Sequence, residues 1–189
     1  ILQALPKMAW SLWQDDQHHA VKLHLHFEVL KGVPADATLT VAASSEPAQM
    51  QAMLCSGRLY VMDRGYASYE LFRDILKAGS SFIGRVNDTT AFGLTKDCPL
   101  TPAARAAGVV RDGLLHRLGT LYGQESFRHP LRLVIVRRIK PDGTMEELWL
   151  ITDRLDLPAE LIALAYRYRW TIELFFRWVK QTLKIKHFF

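Results

Sequence analysis

A strand, a helix and a second strand follow one another within a short stretch of this chain, and that order limits the possible folds. Leu59–Met62 is a continuous apolar run, typical of a strand buried on both faces, and it ends at Asp63. Tyr69–Lys77 carries its apolar residues at helical spacing, and Gly79 is placed to end that helix. Ser81–Val86 is the next predicted strand. Consecutive strand, helix and strand elements predict a sheet with helices packed on its faces.

An earlier segment has the alternating pattern of a half-buried strand. In residues 21–28, apolar side chains alternate with Lys, His and Glu side chains, which is the period of two expected of such a strand. Residues 31–34 supply a turn, residues 38–42 predict a returning strand, and residues 48–54 predict a short helix. A hairpin followed by a strand–helix–strand unit predicts an α/β fold, with a mixed sheet flanked by helices.

The pattern changes between residues 87 and 147, where we predict a β-rich insertion. Two long apolar segments there predict strands, and the Lys-Pro-Asp-Gly sequence at 140–143 is a turn signal that leads into a further strand. The predicted strands are 114–121, Leu131–Ile139 and 148–151. A long helix is predicted next, with Pro158 well placed in its first turn.

Length and composition suit a single globular domain with an insertion. The chain has 189 residues, of which 49% are hydrophobic, so it can bury a substantial core. We predict a core in two segments, residues 1–86 and 148–189, separated by the insertion at 87–147. The apolar runs are too short to span a membrane, and the two cysteines are isolated, so neither a membrane partner nor a disulfide framework is predicted. The cytoplasm is the default compartment.

The predicted C-terminal helix concentrates positive charge. The chain carries a net charge of +5, and the segment from Leu164 to His187 has six basic residues against one acid. At about 100° of rotation per residue, its charges share a wedge roughly 80° wide that includes Tyr166, while apolar side chains cover much of the rest. The charged residues of the wedge are Arg169, Glu173, Arg177, Lys180 and Lys184. A basic stripe interleaved with aromatic residues is typical of contact with nucleic-acid phosphates, although a solvated helix face has the same pattern.

The single acid of this helix, Glu173, has two interpretations. On a mostly buried helix, a carboxylate beside basic groups is held ionised and in place, as a metal ligand must be. Glu173 can equally form an ordinary ion pair with Arg169, one helical turn away. Asp63 favours the metal interpretation, because ligands collect at the carboxyl ends of strands in open α/β sheets and Mg²⁺ or Mn²⁺ prefers oxygen ligands. An Asp that follows a strand can also be a simple turn or cap residue.

Three blocks of sequence resemble one known family, the DDE insertion-sequence transposases, whose catalytic core is RNase H-like. The first block fits the family signature Tyr-x2-Arg-x3-Glu-x6-Lys with Tyr166, Arg169, Glu173 and Lys180. The Asp-Arg-Gly-Tyr sequence that begins at Asp63 is similar to the block around the family's second catalytic Asp. Residues 20–24 resemble the hairpin strand that follows the first catalytic Asp. The blocks occur in the family's order and span nearly the whole chain.

One catalytic residue of the family has no counterpart in this sequence. The first catalytic Asp lies upstream of the segment that aligns with residues 1–5. We therefore expect the chain to be a piece of a longer protein that lacks one metal ligand and is inactive on its own. Asp15 and Asp16 fall in a predicted loop, and we do not expect them to replace the missing residue.

The resemblance implies a function and a role for each matched residue. Asp63, Glu173 and the upstream Asp would hold two Mg²⁺ or Mn²⁺ ions for phosphodiester cleavage and strand transfer at the ends of an insertion element. The residues implied to contact DNA phosphates are Tyr166, Arg169 and Lys180, with Arg177 and Lys184 on the same basic helix. Trp170 and Tyr66 would stack on an unpaired base, or Trp170 would instead be a core residue. The expected partners are transposon-end and target DNA, and the full-length protein is expected to form a homodimer.

Two other functions remain open from the sequence. His24 and His26 form a His-x-His pair on one strand face, a pattern that metal hydrolases use to bind zinc. Lys22 and Glu28 share that face, which favours an exposed strand surface instead. The second alternative is a DNA-binding remnant, in which the basic helix grips the duplex and the carboxylates only form ion pairs.

Overall fold

The computed structural model describes residues 2–3, 20–41, 43–120 and 126–182. Its elements, in chain order, are β1 (Leu2–Gln3), β2 (Ala20–Glu28), β3 (Val33–Val41), α1 (Glu46–Ala52), β4 (Leu59–Met62), a short 3-10 helix (Arg64–Tyr66), α2 (Tyr69–Lys77), β5 (Ser81–Val86), β6 (Phe92–Asp97), α3 (Pro102–Ala106), β7 (Val109–Gly119), β8 (Ser126–Phe127), β9 (Leu131–Ile139), β10 (Met145–Thr152), α4 (Ala159–Tyr168) and α5 (Trp170–Thr182). The chain divides into two compact units, one formed by Ile1–Met53 and Tyr168–Phe189 and one by Leu54–Arg167. None of the helices described is long and apolar enough to cross a membrane.

The first unit contains a three-stranded antiparallel sheet in the order β1-β2-β3. Its helix α1 begins after Ser45, whose side-chain oxygen accepts a hydrogen bond from the backbone N–H of Ala48 at 3.5 Å. Phe27 of β2 packs on Phe175 of α5, with ring centroids 5.3 Å apart. The apolar set of the alternating pattern in β2 therefore includes a side chain that packs against the C-terminal helix.

The second unit contains a seven-stranded sheet in the order β4-β5-β10-β9-β7-β6, with β8 paired to β7. β4 and β5 run parallel, and the other strand pairs are antiparallel. The predicted strand–helix–strand unit is thus confirmed as β4, α2 and β5. Because this sheet combines parallel and antiparallel pairs, the predicted mixed sheet is confirmed. The hairpin strands β2 and β3, which the sequence grouped with it, form the separate sheet of the first unit.

Helices cover both faces of this second sheet. Ile83 of β5 belongs to one buried cluster with Ile162 and Tyr166 of α4. The preceding residue, Phe82, stacks on Phe72 of α2 with ring centroids 4.3 Å apart. Since consecutive residues of a strand point to opposite faces, α4 and α2 lie on opposite faces of the sheet. This is the predicted α/β arrangement.

A glycine in β5 permits the close approach of α2. A Cβ atom added to Gly84 would lie 3.2 Å from the ring of Phe72, which is closer than ordinary packing allows. Gly84 also pairs with Met62, the last residue of β4, so this close contact lies next to the end of that strand. The packing therefore holds the start of the following loop, where Asp63 lies, close to α2.

Several predicted boundaries shift in the structure. The predicted strand 38–42 is the end of the longer β3, and the predicted strand 114–121 is the end of the longer β7. Ala42 and Leu121 lie outside the described residues. β6 and α3 were not predicted from the pattern. The strands of the predicted insertion at 87–147 hydrogen-bond into the same sheet as β4 and β5, through β10 and β9. The domain boundaries at 86 and 147 stay a prediction.

The single long helix predicted after Pro158 is wrong, because α4 ends at Tyr168 and α5 begins at Trp170. The hydroxyl of Thr171 donates to the carbonyl oxygen of Tyr168, and the backbone N–H of Ile172 bonds to Arg169 three residues earlier. A Thr hydroxyl that competes for a helical carbonyl, together with a tighter i to i+3 bond, interrupts the regular ladder. The wedge that placed Tyr166 beside Glu173 assumed an unbroken helix, so that placement stays a prediction.

Candidate active site

Asp63 follows β4 directly and caps the 3-10 helix. Its Oδ1 atom accepts a hydrogen bond from the backbone N–H of Arg64 at 2.8 Å, with φ −79° and ψ 171° at Asp63. A short polar side chain in an extended conformation is the usual start of a helical turn. The predicted cap role of Asp63 is therefore present, and it leaves the carboxylate half-buried at the carboxyl end of the strand.

Tyr166 is the side chain that reaches Asp63 from another element. It lies near the end of α4, is 5% exposed, and donates its hydroxyl hydrogen bond to Asp63 Oδ1 at 3.1 Å. The two residues are 103 positions apart in the chain. One carboxylate oxygen of Asp63 thus accepts hydrogen bonds from a backbone amide and from a buried phenol, which fixes the orientation of the carboxyl group.

Glu173 lies in the first turn of α5 and pairs with Arg169. Arg169 Nη2 lies 2.8 Å from Glu173 Oε1, and the two side chains are 17% and 38% exposed. The ion pair that the sequence offered as an alternative is therefore present. This ion pair involves Glu173 Oε1, and it is compatible with a structural role and with metal binding.

The expectation that the C-terminal helix is mostly buried is wrong for the described residues. Trp170, Leu174 and Trp178, spaced at i, i+4 and i+8 on one face of α5, are all exposed. Trp170 is therefore not a core residue. Arg177 is also exposed, as its predicted contact with DNA requires.

The structure describes only some of the other predicted site residues. Lys180 lies in α5, and its side chain is outside the described residues, as is the whole of Lys184. Asp63 and Tyr166 belong to the second unit, whereas Arg169, Glu173 and Arg177 belong to the first. The sharing of a metal ion by Asp63 and Glu173 stays a prediction. Among the described residues, no group of three or more His, Cys, Asp or Glu side chains is arranged to hold a metal ion.

The His-x-His pair has a structural partner in the hairpin. His24 is buried, and its Nε2 atom lies 2.8 Å from the Thr40 hydroxyl on the neighbouring strand. Burial, followed by the nearby charge of Lys22, lowers the pKa of His24 below its usual value. Burial likewise lowers the pKa of His26. The sequence favoured an exposed strand face for this pair, but His24 is buried there. Thr40 supplies a hydrogen-bonding partner for the buried ring.

Sequence reasoning missed two features of the site. The hydroxyl contact between Tyr166 and Asp63 had no local signal, because the residues are distant in sequence. Arg64 was recognised only as part of a motif, yet it lines two cavities next to the loop that follows Asp63. Its position directly after a strand-end carboxylate is the signal that could have identified it.

Comparison with known proteins places this sequence in a family. Residues 4–189 match the model of the family described as "Transposase DDE domain". The chain is 34% identical over 133 residues to "Putative transposase y4zB" of Sinorhizobium fredii, which covers 70% of this chain and 36% of that protein. It is 26% identical over 183 residues to "Probable transposase for insertion sequence element IS5377" of Geobacillus stearothermophilus, covering 97% of this chain and 46% of that protein.

The chain belongs to the transposase DDE domain family. It spans less than half the length of each of these two curated relatives. The family resemblance stated from the three sequence blocks is confirmed at this level. The α/β sheet with helices on both faces is consistent with the RNase H-like fold that the resemblance implies.

Proposed function

We propose that this chain is the catalytic part of a DNA transposase, which cleaves phosphodiester bonds at the ends of an insertion element and joins those ends to target DNA. The single observation that carries the proposal is the position of Asp63. Its carboxylate stands at the carboxyl end of β4, oriented by Arg64 N–H and Tyr166, in a chain of the transposase DDE domain family. Ligands bind at the carboxyl ends of strands in open α/β sheets.

The residues present fit divalent cations in their chemistry. Asp63 and Glu173 offer carboxylate oxygens, which Mg²⁺ and Mn²⁺ prefer, and few protein ligands are needed for such ions. Asp63 and Glu173 would hold two ions together with a further carboxylate. When bound, such a pair of ions activates the attacking hydroxyl and stabilises the leaving oxygen of an in-line displacement.

The chain's own residues would orient both the carboxylates and the DNA. Tyr166 fixes the carboxyl group of Asp63 through its buried hydroxyl. Arg169 holds Glu173 through the ion pair and, in the proposed complex, would move to or share a DNA phosphate. Arg177, Lys180 and Lys184 would contact further phosphates, which position a strand without reading its sequence. Homodimer formation by the full-length protein stays a prediction.

The test compares two carboxamide variants of the full-length protein on DNA that contains its own element ends. Asp63→Asn and Glu173→Gln are each expected to abolish strand cleavage, while binding of the same DNA is retained or tightened because a negative charge near phosphate is removed. Asp97→Asn is the matched control, because Asp97 is an exposed acid that pairs with Arg111 elsewhere in the sheet. Cleavage retained by the Glu173→Gln variant overturns the assignment of the second acid.

The ion pair between Arg169 and Glu173 supports one competing function, a DNA-binding remnant without catalysis. In that case both carboxamide variants bind divalent ions as the unaltered protein does, and no variant changes DNA cleavage because none occurs. Retained DNA binding with no divalent-dependent cleavage by the unaltered full-length protein would favour the remnant over the transposase.

A further inference from the structure

A cavity of about 610 Å³ opens beside the loop that follows Asp63. It lies between the 3-10 helix, the first turn of α2 and the chain that leaves β5. Its polar and charged lining consists of Arg64, Ser68, Tyr69, Arg73, Asn87 and Thr90, with Glu70 as the acidic residue. A cavity of this size falls within the range that accommodates small ligands or part of a larger one.

Both arginines of this cavity are exposed and form no ion pair with any residue that the structure describes. Seven other arginines in the described ranges do pair with carboxylates: Arg85, Arg111, Arg132, Arg137, Arg138, Arg154 and Arg169. Arg64 and Arg73 lie nine positions apart in the sequence and line the same cavity. Two cations without a carboxylate partner in one polar cavity make it suited to an anion.

A second cavity, of about 600 Å³, shares Arg64, Val86 and Asn87 with the first. Its other arginine, Arg85, is already paired with a carboxylate, because Glu146 lies 2.7 Å from its guanidinium group. Glu146 and Glu147 also line this second cavity, so its charge is less favourable to an anion. The lining of the first cavity therefore has more basic than acidic residues, whereas that of the second has more acidic than basic ones.

We propose that the cavity lined by Arg64 and Arg73 binds a phosphate group of the DNA strand that passes Asp63. The proposal rests on the proposed function, since it names where the substrate backbone lies relative to one catalytic carboxylate. Arg64, which lines the cavity, directly follows Asp63 in the chain, so the cavity begins at the residue next to that carboxylate. Asn87 and Thr90 add hydrogen-bond donors that suit phosphate oxygens. Such contacts position the strand and carry no sequence information.

The experiment measures how salt affects DNA binding by the full chain and by its Arg64→Gln/Arg73→Gln variant, with a labelled duplex of mixed sequence as the probe. Each phosphate contact contributes about 0.9 to the slope of log K against log salt concentration. The double variant is expected to reduce the slope by about two, with weaker binding at every salt concentration. Arg64→Lys/Arg73→Lys keeps both charges and is expected to retain most of the slope.

The matched control is Arg105→Gln, which removes an exposed arginine from the last turn of α3, away from the cavity. It is expected to leave the slope nearly unchanged. A second measurement uses the unaltered chain and does not depend on a variant folding: bound DNA should protect Arg64 and Arg73, but not Arg105, from an arginine-specific reagent. Mass spectrometry of the peptides reads out the protection.

The outcomes separate this inference from the function on which it rests. If the chain binds DNA but the double variant has the same slope and DNA protects neither arginine, the cavity assignment is overturned while the transposase function stands. If the unaltered chain binds no DNA, both fail together. A reduced slope in the double variant, with an unchanged Arg105→Gln control and protection of both arginines, supports the assignment.

Discussion

At the scale of single residues, the contact that defines the site is the hydrogen bond from Tyr166 to Asp63. A buried phenol and a backbone amide converge on one carboxylate oxygen, so the carboxyl group is oriented before any ligand binds. Catalytic groups must be held in their productive geometry, and a small displacement of such a group lowers the reaction rate strongly. In the proposed site, Tyr166 therefore acts on Asp63 as a positioning residue.

Replacement of Tyr166 by Phe keeps the buried ring and removes only the hydroxyl. We expect a loss of about 1–2 kcal/mol in the free energy of unfolding, since one hydrogen bond to a charged group is lost. In the full-length protein we expect kcat for DNA cleavage to fall about tenfold or more, with little change in KM. Urea denaturation and steady-state cleavage measure the two effects.

Tyr168→Phe is the control, because Tyr168 is an exposed tyrosine two residues after Tyr166. Removal of its hydroxyl should change neither the free energy of unfolding nor kcat. A Tyr166→Phe variant that raises KM for DNA and leaves kcat unchanged would assign the hydroxyl to the DNA phosphate instead. That result would restore the role that the family resemblance implied for this residue.

Asp63 could be found from the sequence, and its contact with Tyr166 could not. An apolar run that ends at an acid, with a glycine two positions later, is a local pattern, and it places the carboxylate at the end of a strand. Tyr166 was matched to a signature within the predicted C-terminal helix, but its partner depends on how α4 packs on the sheet. No local pattern encodes a contact between residues 103 positions apart.

At the scale of elements, a buried ion pair joins two strands to the loop that leads into α4. Asp112 of β7 and Arg132 of β9 are 4% and 12% exposed at their side chains, and their closest N–O distance is 2.6 Å. Arg132 also donates to the carbonyl oxygens of Leu155 and Leu157, just before α4 begins. The hydrogen bond from Arg132 to Asp112 raises the pKa of Arg132 above its usual value. The pair therefore anchors the start of the helix that carries Tyr166.

The Asp112→Asn variant is expected to lose about 3–5 kcal/mol in the free energy of unfolding. The reason is that Arg132 keeps its charge in a buried place without a counter-charge. An Asp112→Leu/Arg132→Met double variant replaces both charges with apolar side chains and is expected to recover most of that loss. Chemical denaturation of the three proteins measures the difference. Equal stability of the Asp112→Asn variant and the unaltered chain would show that the pair is not an anchor.

A second charge cluster, on β5, β9 and β10, predicts a pH effect. Burial alone would raise the pKa of Glu146, but hydrogen bonds and charge from Arg138 and Arg85 outweigh it and hold that pKa below its usual value of 4.5. A carboxyl group with a lowered folded-state pKa contributes stability above its usual pKa and loses it as pH falls through the lowered value. The stability gap between the unaltered chain and Glu146→Gln should therefore be large at neutral pH and shrink in acid.

Glu147→Gln tests the specificity of that effect. Glu147 pairs with Arg137, but both side chains are about half exposed, so its replacement should cost at most about 1 kcal/mol at neutral pH. Thermal or urea unfolding of the three proteins from neutral to acidic pH provides the comparison. A gap for Glu146→Gln that stays constant as the pH falls would contradict the assigned direction of the pKa shift.

The elements show where pattern reading works and where it stops. Strands with continuous or alternating apolar residues, such as β4 and β5, were placed correctly from local sequence. The break between α4 and α5 was missed. It involves a hydrogen bond from the hydroxyl of Thr171 to a helical carbonyl oxygen, and the spacing of apolar residues does not predict such a bond. β6 was missed because its ladder to β7 contains two irregularities, which disrupt the alternation that predicts a strand.

At the scale of the whole molecule, two compact units carry the two proposed catalytic acids. Asp63 lies in the unit formed by Leu54–Arg167, and Glu173 lies in the unit that includes Tyr168–Phe189. The chain belongs to the transposase DDE domain family, and the three sequence blocks that indicated this family come from both units. Membership of the family was therefore readable from short motifs, whereas the meeting of the two acids depends on the arrangement of the units and stays a prediction.

Iron-directed cleavage of the full-length protein tests the central claim, that Asp63 and Glu173 bind the same divalent ions. Fe²⁺ takes the place of Mg²⁺ at oxygen-ligand sites, and the hydroxyl radicals it generates with ascorbate and peroxide cut the backbone near the ligands. The account predicts cuts near both residues, lost at both positions in either the Asp63→Asn or the Glu173→Gln variant and kept in Asp97→Asn. Cuts near one acid that persist when the other is replaced would contradict a shared site.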